Sequence, residues 1–214
     1  MKIQVALDIP NKNKALEITR QVAPYADIIE VGTPLLKAEG IAMVKKIKEE
    51  FPYLLVLADT KTMDVGALEA KMVFDAGADI MTVCAQAELE TIKSAITQAK
   101  NQDKRVMVDF IGVKEKISRG KEIEPLLPDY FSFHIAIDIQ CSEGIPFAKI
   151  EKFSKSFSIP IAIAGGLKPK DIKYLVPFNP EILIFGGYIT KSKNPKEAIL
   201  KIKEEIYATK KESI

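Results

Sequence analysis

Two kinds of hydrophobic pattern alternate along this chain of 214 residues. Short, nearly continuous apolar runs recur eight times, and such runs are typical of β-strands that are covered on both faces. The predicted strands span residues 3–9, 26–31, 54–60, 79–83, 105–111, 130–137, 158–164 and 181–185.

Between these runs, apolar residues recur at the three- and four-residue spacing of amphipathic helices. The spacing predicts helices around residues 16–23 and 41–48 and over residues 65–76, 88–100, 114–124, 145–157, 171–176 and 195–207. Gly32-Thr33-Pro34 predicts a turn, and Gly77 is placed to end the third helix. The lysine-rich C-terminal tail, from about residue 208, is expected to fray.

Eight strands that are each followed by a helix predict a parallel sheet, because every connection contains a helix. We predict a single α/β domain over residues 1–214, a (β/α)8 TIM barrel, with a doubly wound open sheet as the alternative. The barrel is favoured because candidate chemical residues lie at or near the carboxyl ends of five strands, and those ends converge only in a barrel. These residues are Asp8, Glu30, Asp59, Lys61, Asp109 and His134.

The composition narrows the classes of partner. Thirty-one basic and 29 acidic residues give a net charge of +2, with no basic run interleaved with aromatics, so nucleic-acid binding is not indicated. No apolar run approaches the roughly 18 residues of a membrane span, and the chain begins with a strand pattern, so a cytoplasmic location is expected. Cys84 and Cys141 lie far apart without a metal-binding motif and are expected to be reduced thiols.

Residues 58–64, ADTKTMD, concentrate the candidate chemistry. Side chains two apart in a strand share a face, so Asp59 and Lys61 are expected to project together, with Asp64 just ahead of the next helix. Lys61 could stabilise an oxyanion as a cation or form a Schiff base as a neutral amine. The nearby carboxylates favour the cation. The simpler alternative is a surface ion pair with Asp64 as a helix N-cap.

Three further features extend this candidate site. Glu30 and Asp59 end neighbouring strands, and two carboxylates there can hold Mg²⁺ while leaving positions for substrate oxygens. His134, the only histidine, lies where it could act as a base, although a hydrogen-bonded core histidine is the alternative. Gly165-Gly166 and Gly186-Gly187 follow the last two strands, where barrels often bind phosphate through backbone N–H groups. The predicted substrate is a phosphorylated small molecule.

With these residues identified, the chain resembles the 3-hexulose-6-phosphate synthases, within the superfamily of orotidine 5′-monophosphate decarboxylase. The resemblance covers nearly the whole chain, and segments 30–40 and 58–64 together are its most specific part. The matching segments are ALD at 6–8, EVGTPLLKAEG at 30–40, ADTKTMD at 58–64, AGAD at 76–79, VDF at 108–110, His134 with Asp138 and Gln140, AGG at 164–166 and GGYIT at 186–190.

The resemblance implies a reversible aldol condensation of D-ribulose 5-phosphate with formaldehyde, which gives D-arabino-hex-3-ulose 6-phosphate through an enediolate. It implies Mg²⁺, with Mn²⁺ as the alternative ion, held by Glu30 and Asp59. His134 would remove a proton from the terminal hydroxymethyl carbon of the sugar, and Lys61 with the metal would carry the enediolate charge.

The resemblance also implies roles for three other acidic residues. Asp8 and Asp109 would position substrate hydroxyls and the lysine. Asp64 would reach into the site of a partner subunit, which implies a homodimer with two composite sites.

The nearest competing family by resemblance is that of the 3-keto-L-gulonate-6-phosphate decarboxylases. These generally have glutamate, arginine and threonine where this chain has Asp109, Ile137 and Ala164. Ile137 cannot orient a proton-donating water as an arginine can. Asp109 and Ala164 are smaller than their counterparts and change the volume of the pocket beside the nascent carbanion. The synthase is therefore favoured.

Some positions depart from the usual synthase pattern, namely Thr60 and the Ile135-Ala136 pair, and they leave the shape of the pocket open. A third hypothesis is a non-catalytic sugar-phosphate-binding barrel. Nothing in the sequence favours it, because all the expected catalytic residue types are present.

Overall fold

Eight parallel strands close into a barrel in the order of the sequence. The computed structural model describes residues 1–140 and 144–212, and its strands are β1 (Lys2–Leu7), β2 (Ile28–Val31), β3 (Leu55–Thr62), β4 (Ile80–Cys84), β5 (Arg105–Asp109), β6 (Tyr130–His134), β7 (Ile161–Ala164) and β8 (Ile182–Phe185). β1 pairs with β8, with Lys2 opposite Ile182, so the sheet has no free edge. The predicted barrel is confirmed, and the open-sheet alternative is wrong.

Helices surround the barrel and bury their apolar faces against the strands in one large core. In the described residues the α-helices are α1 (Lys12–Val22), α2 (Thr33–Glu39), α3 (Ala42–Glu50), α4 (Gly66–Asp75), α5 (Leu89–Asn101), α6 (Lys116–Ile123), α7 (Phe147–Ser154), α8 (Ile172–Leu175), α9 (Gly187–Thr190) and α10 (Pro195–Glu212). This arrangement of strand and helix is the single-domain α/β barrel that the periodicity predicts.

The end of α4 forms as predicted. Gly77 has φ +99°, and the N–H groups of Gly77 and Ala78 donate to the carbonyl oxygens of Phe74 and Val73 at 2.9 and 3.0 Å. A residue with a side chain rarely adopts this φ, so glycine fixes where the helix ends.

Two helical segments differ from the prediction. The segment that begins at Gly32 does not form a simple turn, because it opens α2, and Pro34 lies in the first turn, where its missing N–H costs no intrahelical bond. At the other end, α10 continues past Tyr207 to Glu212, and Thr209 is buried. The segment expected to fray from about residue 208 is therefore a continuation of the last helix.

The interior of the barrel is layered along its axis. Inward-pointing apolar side chains form a small core of their own, which consists of Ala6, Ile28, Leu57, Ile80, Met107, Tyr130, Ala162, Ala164, Ile182 and Ile184. Inward positions recur every second residue in a strand. Glu30, Asp59 and Asp109 each lie two residues after a member of this core. A polar layer therefore covers the apolar one at the carboxyl end of the barrel.

Two expectations from the composition can be compared with the structure. Cys84 is a free, buried thiol, whereas Cys141 lies outside the described residues. In the part of the chain that the structure describes, no helix combines the length and the hydrophobicity needed to cross a membrane.

Candidate active site

Lys61 lies at the centre of the polar layer. Its Nζ atom donates to Asp59 Oδ2 and Oδ1 at 2.8 and 3.0 Å and to Asp109 Oδ2 at 3.1 Å. Burial by itself would lower the pKa of Lys61, but Asp109 and Asp59 outweigh it and raise that pKa above the ordinary value. Asp59 is only 4% exposed, so the alternative of a surface ion pair is wrong. Lys61 is held as a cation between two carboxylates.

Asp109 connects Lys61 to His134. Its Oδ2 atom lies 2.9 Å from His134 Nδ1, and its Oδ1 atom accepts a hydrogen bond from the N–H of Ile111 at 2.9 Å. Burial would raise the pKa of Asp109, but His134 and Lys61 lower it to about 2. An ionised carboxylate can only accept hydrogen bonds, so His134 Nδ1 carries a proton. His134 Nε2 is therefore the nitrogen that can act as a base.

The negatively charged forms of Glu30 and Asp8 are disfavoured by their surroundings. Burial and the charges of Asp59 and Asp8 raise the pKa of Glu30 well above its ordinary value. Desolvation by the surrounding protein and the charge of Asp59 also raise the pKa of Asp8, although part of this side chain is exposed to solvent at the barrel mouth. A cation beside these carboxylates would relieve their repulsion. The structure thus brings Asp8, Glu30 and Asp59 within electrostatic reach of one another.

The described residues contain no group of three or more His, Cys, Asp and Glu side chains that could hold a metal ion by themselves. Mg²⁺ does not require such a cage, because it commonly takes one or two carboxylates and completes its octahedron with water and substrate oxygens. Glu30, whose side chain accepts from the neutral amide of Gln4, and Asp59, which already contacts Lys61, fit that donor set as a pair.

Three polar side chains that the sequence did not single out hold these carboxylates. Gln4 Nε2 donates to Glu30 Oε2 at 2.6 Å. The hydroxyls of Thr82 and Thr33 donate to Asp59 Oδ1 and Oδ2, each at 2.8 Å. Gln4 and Thr82 are buried polar residues in otherwise apolar strands, and that pattern was the signal by which they could have been found.

Glycines, in place of charged side chains, follow the last two strands. Gly165 and Gly166 have φ +118° and +70°, and a Cβ atom on Gly165 would lie 2.6 Å from the Cβ of Ile135. Gly186 and Gly187 lead from β8 into α9. Because β7 and β8 are neighbours in the barrel, the two predicted phosphate-binding segments lie side by side at the mouth.

The two other predicted pocket residues lie at different depths. Ala164 is buried and pairs with His134 across β6 and β7. Ile137 was expected inside the sixth strand, but β6 ends at His134, which is paired with Ala164, the last residue of β7. Ile137 instead lies in a short 3₁₀ turn and is 65% exposed.

Asp64 does not join the cluster within one chain. Its side chain is exposed, and Asp64 Oδ1 accepts a hydrogen bond from the N–H of Val65 at 2.7 Å. Val65 precedes α4 with φ +47°, and no side chain caps the start of that helix. The alternative in which Asp64 is an ordinary helix N-cap is therefore wrong.

Comparisons with known proteins agree with this arrangement. The orotidine 5′-phosphate decarboxylase / HUMPS family matches residues 1–202. A 3-hexulose-6-phosphate synthase from Bacillus subtilis is 40% identical over 207 residues, which are 96% of this chain and 99% of that protein. A crystal structure of 3-hexulose-6-phosphate synthase from Salmonella typhimurium is 36% identical with a TM-score of 0.94, and the match covers 98% of this chain and all of the other. A 3-keto-L-gulonate-6-phosphate decarboxylase structure from Vibrio cholerae is 29% identical with a TM-score of 0.85, over 97% and 98% of the two chains.

Proposed function

Since the chain belongs to the orotidine 5′-phosphate decarboxylase / HUMPS family, we propose that it joins D-ribulose 5-phosphate to formaldehyde and gives D-arabino-hex-3-ulose 6-phosphate. It is an enzyme of the 3-hexulose-6-phosphate synthase type, that is, an aldehyde-lyase. The observation that carries the specific reaction is the continuous series of contacts His134–Asp109–Lys61–Asp59 at the barrel mouth.

His134 is the proposed general base. Asp109 holds the protonated Nδ1 atom at 2.9 Å, which orients Nε2 to take a proton from the hydroxymethyl carbon of the sugar phosphate. The electron pair of the broken C–H bond forms the enediolate. That carbon then forms the new bond to formaldehyde, and the former aldehyde oxygen receives a proton, which the imidazolium can return.

Lys61 stabilises the negative charge of the enediolate. Because Asp59 and Asp109 raise its pKa, Lys61 stays protonated and lacks the lone pair that Schiff-base formation requires. Failure of borohydride to trap the substrate on the protein would agree with this role. Asp8, exposed at the mouth, is placed to contact substrate hydroxyls.

Glu30 and Asp59 are the residues that would hold Mg²⁺, or Mn²⁺ in its place. When bound, the ion would supply Lewis-acid polarisation of the ketone and hydroxyl oxygens of the sugar phosphate. Gln4, Thr33 and Thr82 fix the two carboxylates, so the ligand positions are set before substrate arrives. The excess of negative charge around Glu30 supports this proposal.

The phosphate group of the substrate is proposed to bind at Gly165, Gly166, Gly186 and Gly187. Backbone N–H groups in left-handed and helix-initiating conformations form concave sites for anions. The absence of a side chain at these positions lets the phosphate approach the backbone closely.

The synthase is preferred to the 3-keto-L-gulonate-6-phosphate decarboxylase. Asp109 is already bound to Lys61 and His134, Ala164 lies beside His134, and Ile137 has no polar atom with which to hold a proton-donating water. These features support carbon–carbon bond formation over protonation of the carbanion by a bound water.

We further propose a homodimer in which Asp64 completes the site of the partner. An apolar patch flanks Asp64: Met63, Val65, Leu68 and Met72 are each 47–58% exposed, and the last three recur at helical spacing. Exposed apolar side chains grouped in this way mark interaction surfaces. The isologous contact of a twofold dimer would bring the two Asp64 residues near the opposite sites.

Mixing two inactive variants tests the composite site. Asp64→Asn and His134→Asn are purified, combined in equal amounts and allowed to exchange subunits. With random pairing, about half of the dimers contain one subunit of each variant, and each of these mixed dimers has one intact site out of two. About a quarter of the wild-type activity should therefore return. If mass spectrometry shows mixed dimers but no activity returns, Asp64 does not act across an interface.

Formaldehyde consumption tests the reaction itself. Purified protein is incubated with D-ribulose 5-phosphate, formaldehyde and Mg²⁺, and the hexulose phosphate is identified by mass spectrometry. His134→Asn, which retains a hydrogen-bond donor for Asp109, should lower kcat by about 10³-fold. EDTA should abolish the activity, and Mg²⁺ or Mn²⁺ should restore it.

Other outcomes would favour the other hypotheses. Equal rates with and without EDTA would exclude the metal from the mechanism. Faster release of carbon dioxide from 3-keto-L-gulonate 6-phosphate than condensation with formaldehyde would favour the decarboxylase. Binding of D-ribulose 5-phosphate without any turnover would favour the non-catalytic barrel.

A further inference from the structure

The third strand departs from regular pairing where it enters the site. Ala58 lies opposite Met81 and Thr62 lies opposite Val83, so the three residues between Ala58 and Thr62 face a single residue of β4, which is Thr82. This is a β-bulge, a device that redirects side chains next to active sites. Lys61 lies within it and has φ +47°, a left-handed conformation that residues with side chains rarely adopt.

Thr82 contacts each of the three residues in the bulge. Its Oγ1 atom accepts a hydrogen bond from the N–H of Lys61 at 2.9 Å and donates to Asp59 Oδ1 at 2.8 Å. Its carbonyl oxygen accepts from Thr60 Oγ1 at 2.6 Å. Thr82 is 4% exposed, so water cannot easily replace these bonds.

We infer that Thr82 is a positioning residue for the reaction proposed above, on which this inference rests: its hydroxyl holds the Lys61 backbone in the left-handed conformation and fixes the orientation of Asp59. Both residues that the hydroxyl contacts belong to the candidate machinery: it accepts from the backbone N–H of Lys61 and donates to the carboxylate of Asp59, a proposed metal ligand. Without the hydroxyl, the N–H of Lys61 and one oxygen of Asp59 would each lose a buried partner. Lys61 Nζ would then no longer be held between Asp59 and Asp109.

The backbone carbonyl group of Lys61 also contacts a residue of β4. Cys84, the next inward residue of that strand, directs its Sγ atom to the carbonyl oxygen of Lys61 at 3.3 Å. Thr82 and Cys84 therefore bind the two ends of the same residue. The thiol is a weak hydrogen-bond donor, whereas the hydroxyl also contacts Asp59. Loss of the Thr82 hydroxyl should therefore lower kcat more than loss of the Cys84 thiol.

Two substitutions at residue 82 separate positioning from packing. Thr82→Val has nearly the same shape and lacks the hydroxyl, whereas Thr82→Ser keeps the hydroxyl and lacks the methyl group. Thr97→Val is the matched control, because the Thr97 hydroxyl donates to the carbonyl oxygen of Lys93 in its own helix, on the exposed surface of α5. Wild-type turnover in the same assay tests the proposed reaction, so its failure is distinguishable from a failure of the role of Thr82.

Thr82→Val should lower kcat about 100-fold, since misplacing a catalytic group by about 1 Å has an effect of this size. KM for D-ribulose 5-phosphate should change little, because the proposed phosphate-binding glycines lie across the barrel mouth on β7 and β8. Thr82→Ser should retain most of the wild-type kcat, and Thr97→Val all of it. An unchanged kcat in Thr82→Val, or a kcat in Thr82→Ser as low as that in Thr82→Val, would overturn the proposal.

Hydrogen exchange of the wild-type protein tests the same contact without turnover. The N–H of Lys61 should be protected from exchange because it donates to a buried hydroxyl, and in Thr82→Val its exchange should accelerate. A Lys61 amide that exchanges rapidly in the wild type would overturn the inference even if Thr82→Val did not fold.

Discussion

Strands β1–β6 and strands β7–β8 end at the same barrel mouth, but the first group presents ionisable side chains there and the second presents the backbone. The first group places ionisable side chains in the mouth, from Asp8 at the end of β1 to His134 at the end of β6. The second group ends in alanine or phenylalanine followed by paired glycines. One side of the mouth therefore presents ionisable side chains, and the other presents the backbone.

This difference matches the two ends of the proposed substrate. In the proposed reaction, the reacting carbon would use a base, a cation and a metal ion, which only side chains and bound ions supply. A phosphate already carries its charge and needs only several donors at close range, which backbone N–H groups provide. Substitutions on the two sides should consequently affect different kinetic parameters, and the following experiments test that separation from the largest effect to the smallest.

Lys61→Ala should have the largest effect of these experiments. It removes the charge that is proposed to stabilise the enediolate, and it leaves Asp59 and Asp109 without the cation that lies between them. We expect kcat/KM to fall by about 10³-fold or more, mostly through kcat. Lys14→Ala, which removes an exposed partner of Glu17, is the control and should retain full activity. A loss confined to KM would contradict the assignment of this side of the mouth to the reacting carbon.

Gly165→Ala and Gly186→Ala compare two glycines on the backbone side. A Cβ atom at Gly165 would clash with Ile135 at 2.6 Å, whereas one at Gly186 would meet its nearest neighbour, Asp8 Oδ2, at 3.7 Å. Gly165→Ala should raise KM for D-ribulose 5-phosphate about tenfold or more with a smaller change in kcat, since one hydrogen bond to a charged group is worth that much. Gly186→Ala should change KM much less. Equal effects on KM would show that displacement of the Gly165 backbone by the clash with Ile135 is not what weakens phosphate binding.

Glu30→Gln should stabilise the metal-free protein while removing its response to metal. The pKa of Glu30 is raised above its ordinary value of 4.5 by burial and by Asp59 and Asp8. The stability that protonated Glu30 contributes is therefore present below that ordinary value and is lost as the pH rises through the raised pKa. In EDTA, the variant should therefore be more stable than the wild type at pH 8 and differ little from it at pH 4, as measured by urea unfolding.

Melting temperatures measured with and without Mg²⁺ complete the test of Glu30. The ion should raise the melting temperature of the wild type at pH 8 and leave Glu30→Gln unchanged, because only the wild type retains both carboxylates. An equal rise in both proteins would mean that Glu30 is not a metal ligand.

The thiol of Cys84 should react slowly, although Cys84 ends β4 on the side of the mouth that carries ionisable side chains. Burial and the charge of Asp109 raise the pKa of its thiol to about 11. At pH 8 the thiolate is scarce, so alkylation of Cys84 by iodoacetamide should be roughly 100-fold slower than in the urea-unfolded protein. Mass spectrometry of the peptide that contains Cys84 measures this rate. Rapid alkylation in the folded protein would show that the mouth supports a reactive thiol.

The repeated strand and helix patterns predicted the barrel because they depend only on neighbours in the chain. Each apolar run had to be covered on both faces, and each connecting helix forced the next strand to be parallel. Once closure was assumed, the side-chain alternation implied that Glu30, Asp59, Asp109 and His134 point inward, near the carboxyl ends of their strands. Helix ends were less certain, as α2 and the extension of α10 to Glu212 show.

The sequence thus determined which residues reach the mouth, since strand ends and inward positions are properties of contiguous segments. The tertiary structure decided which of them touch. Thr82 bonds Asp59 across 23 residues of chain, and Gln4 bonds Glu30 across 26. These partners become neighbours only when adjacent strands pair in one register, and the bulge at Lys61 is a feature of that register. No local sequence pattern encodes the bulge, because the contacts that stabilise it come from β4, a different strand.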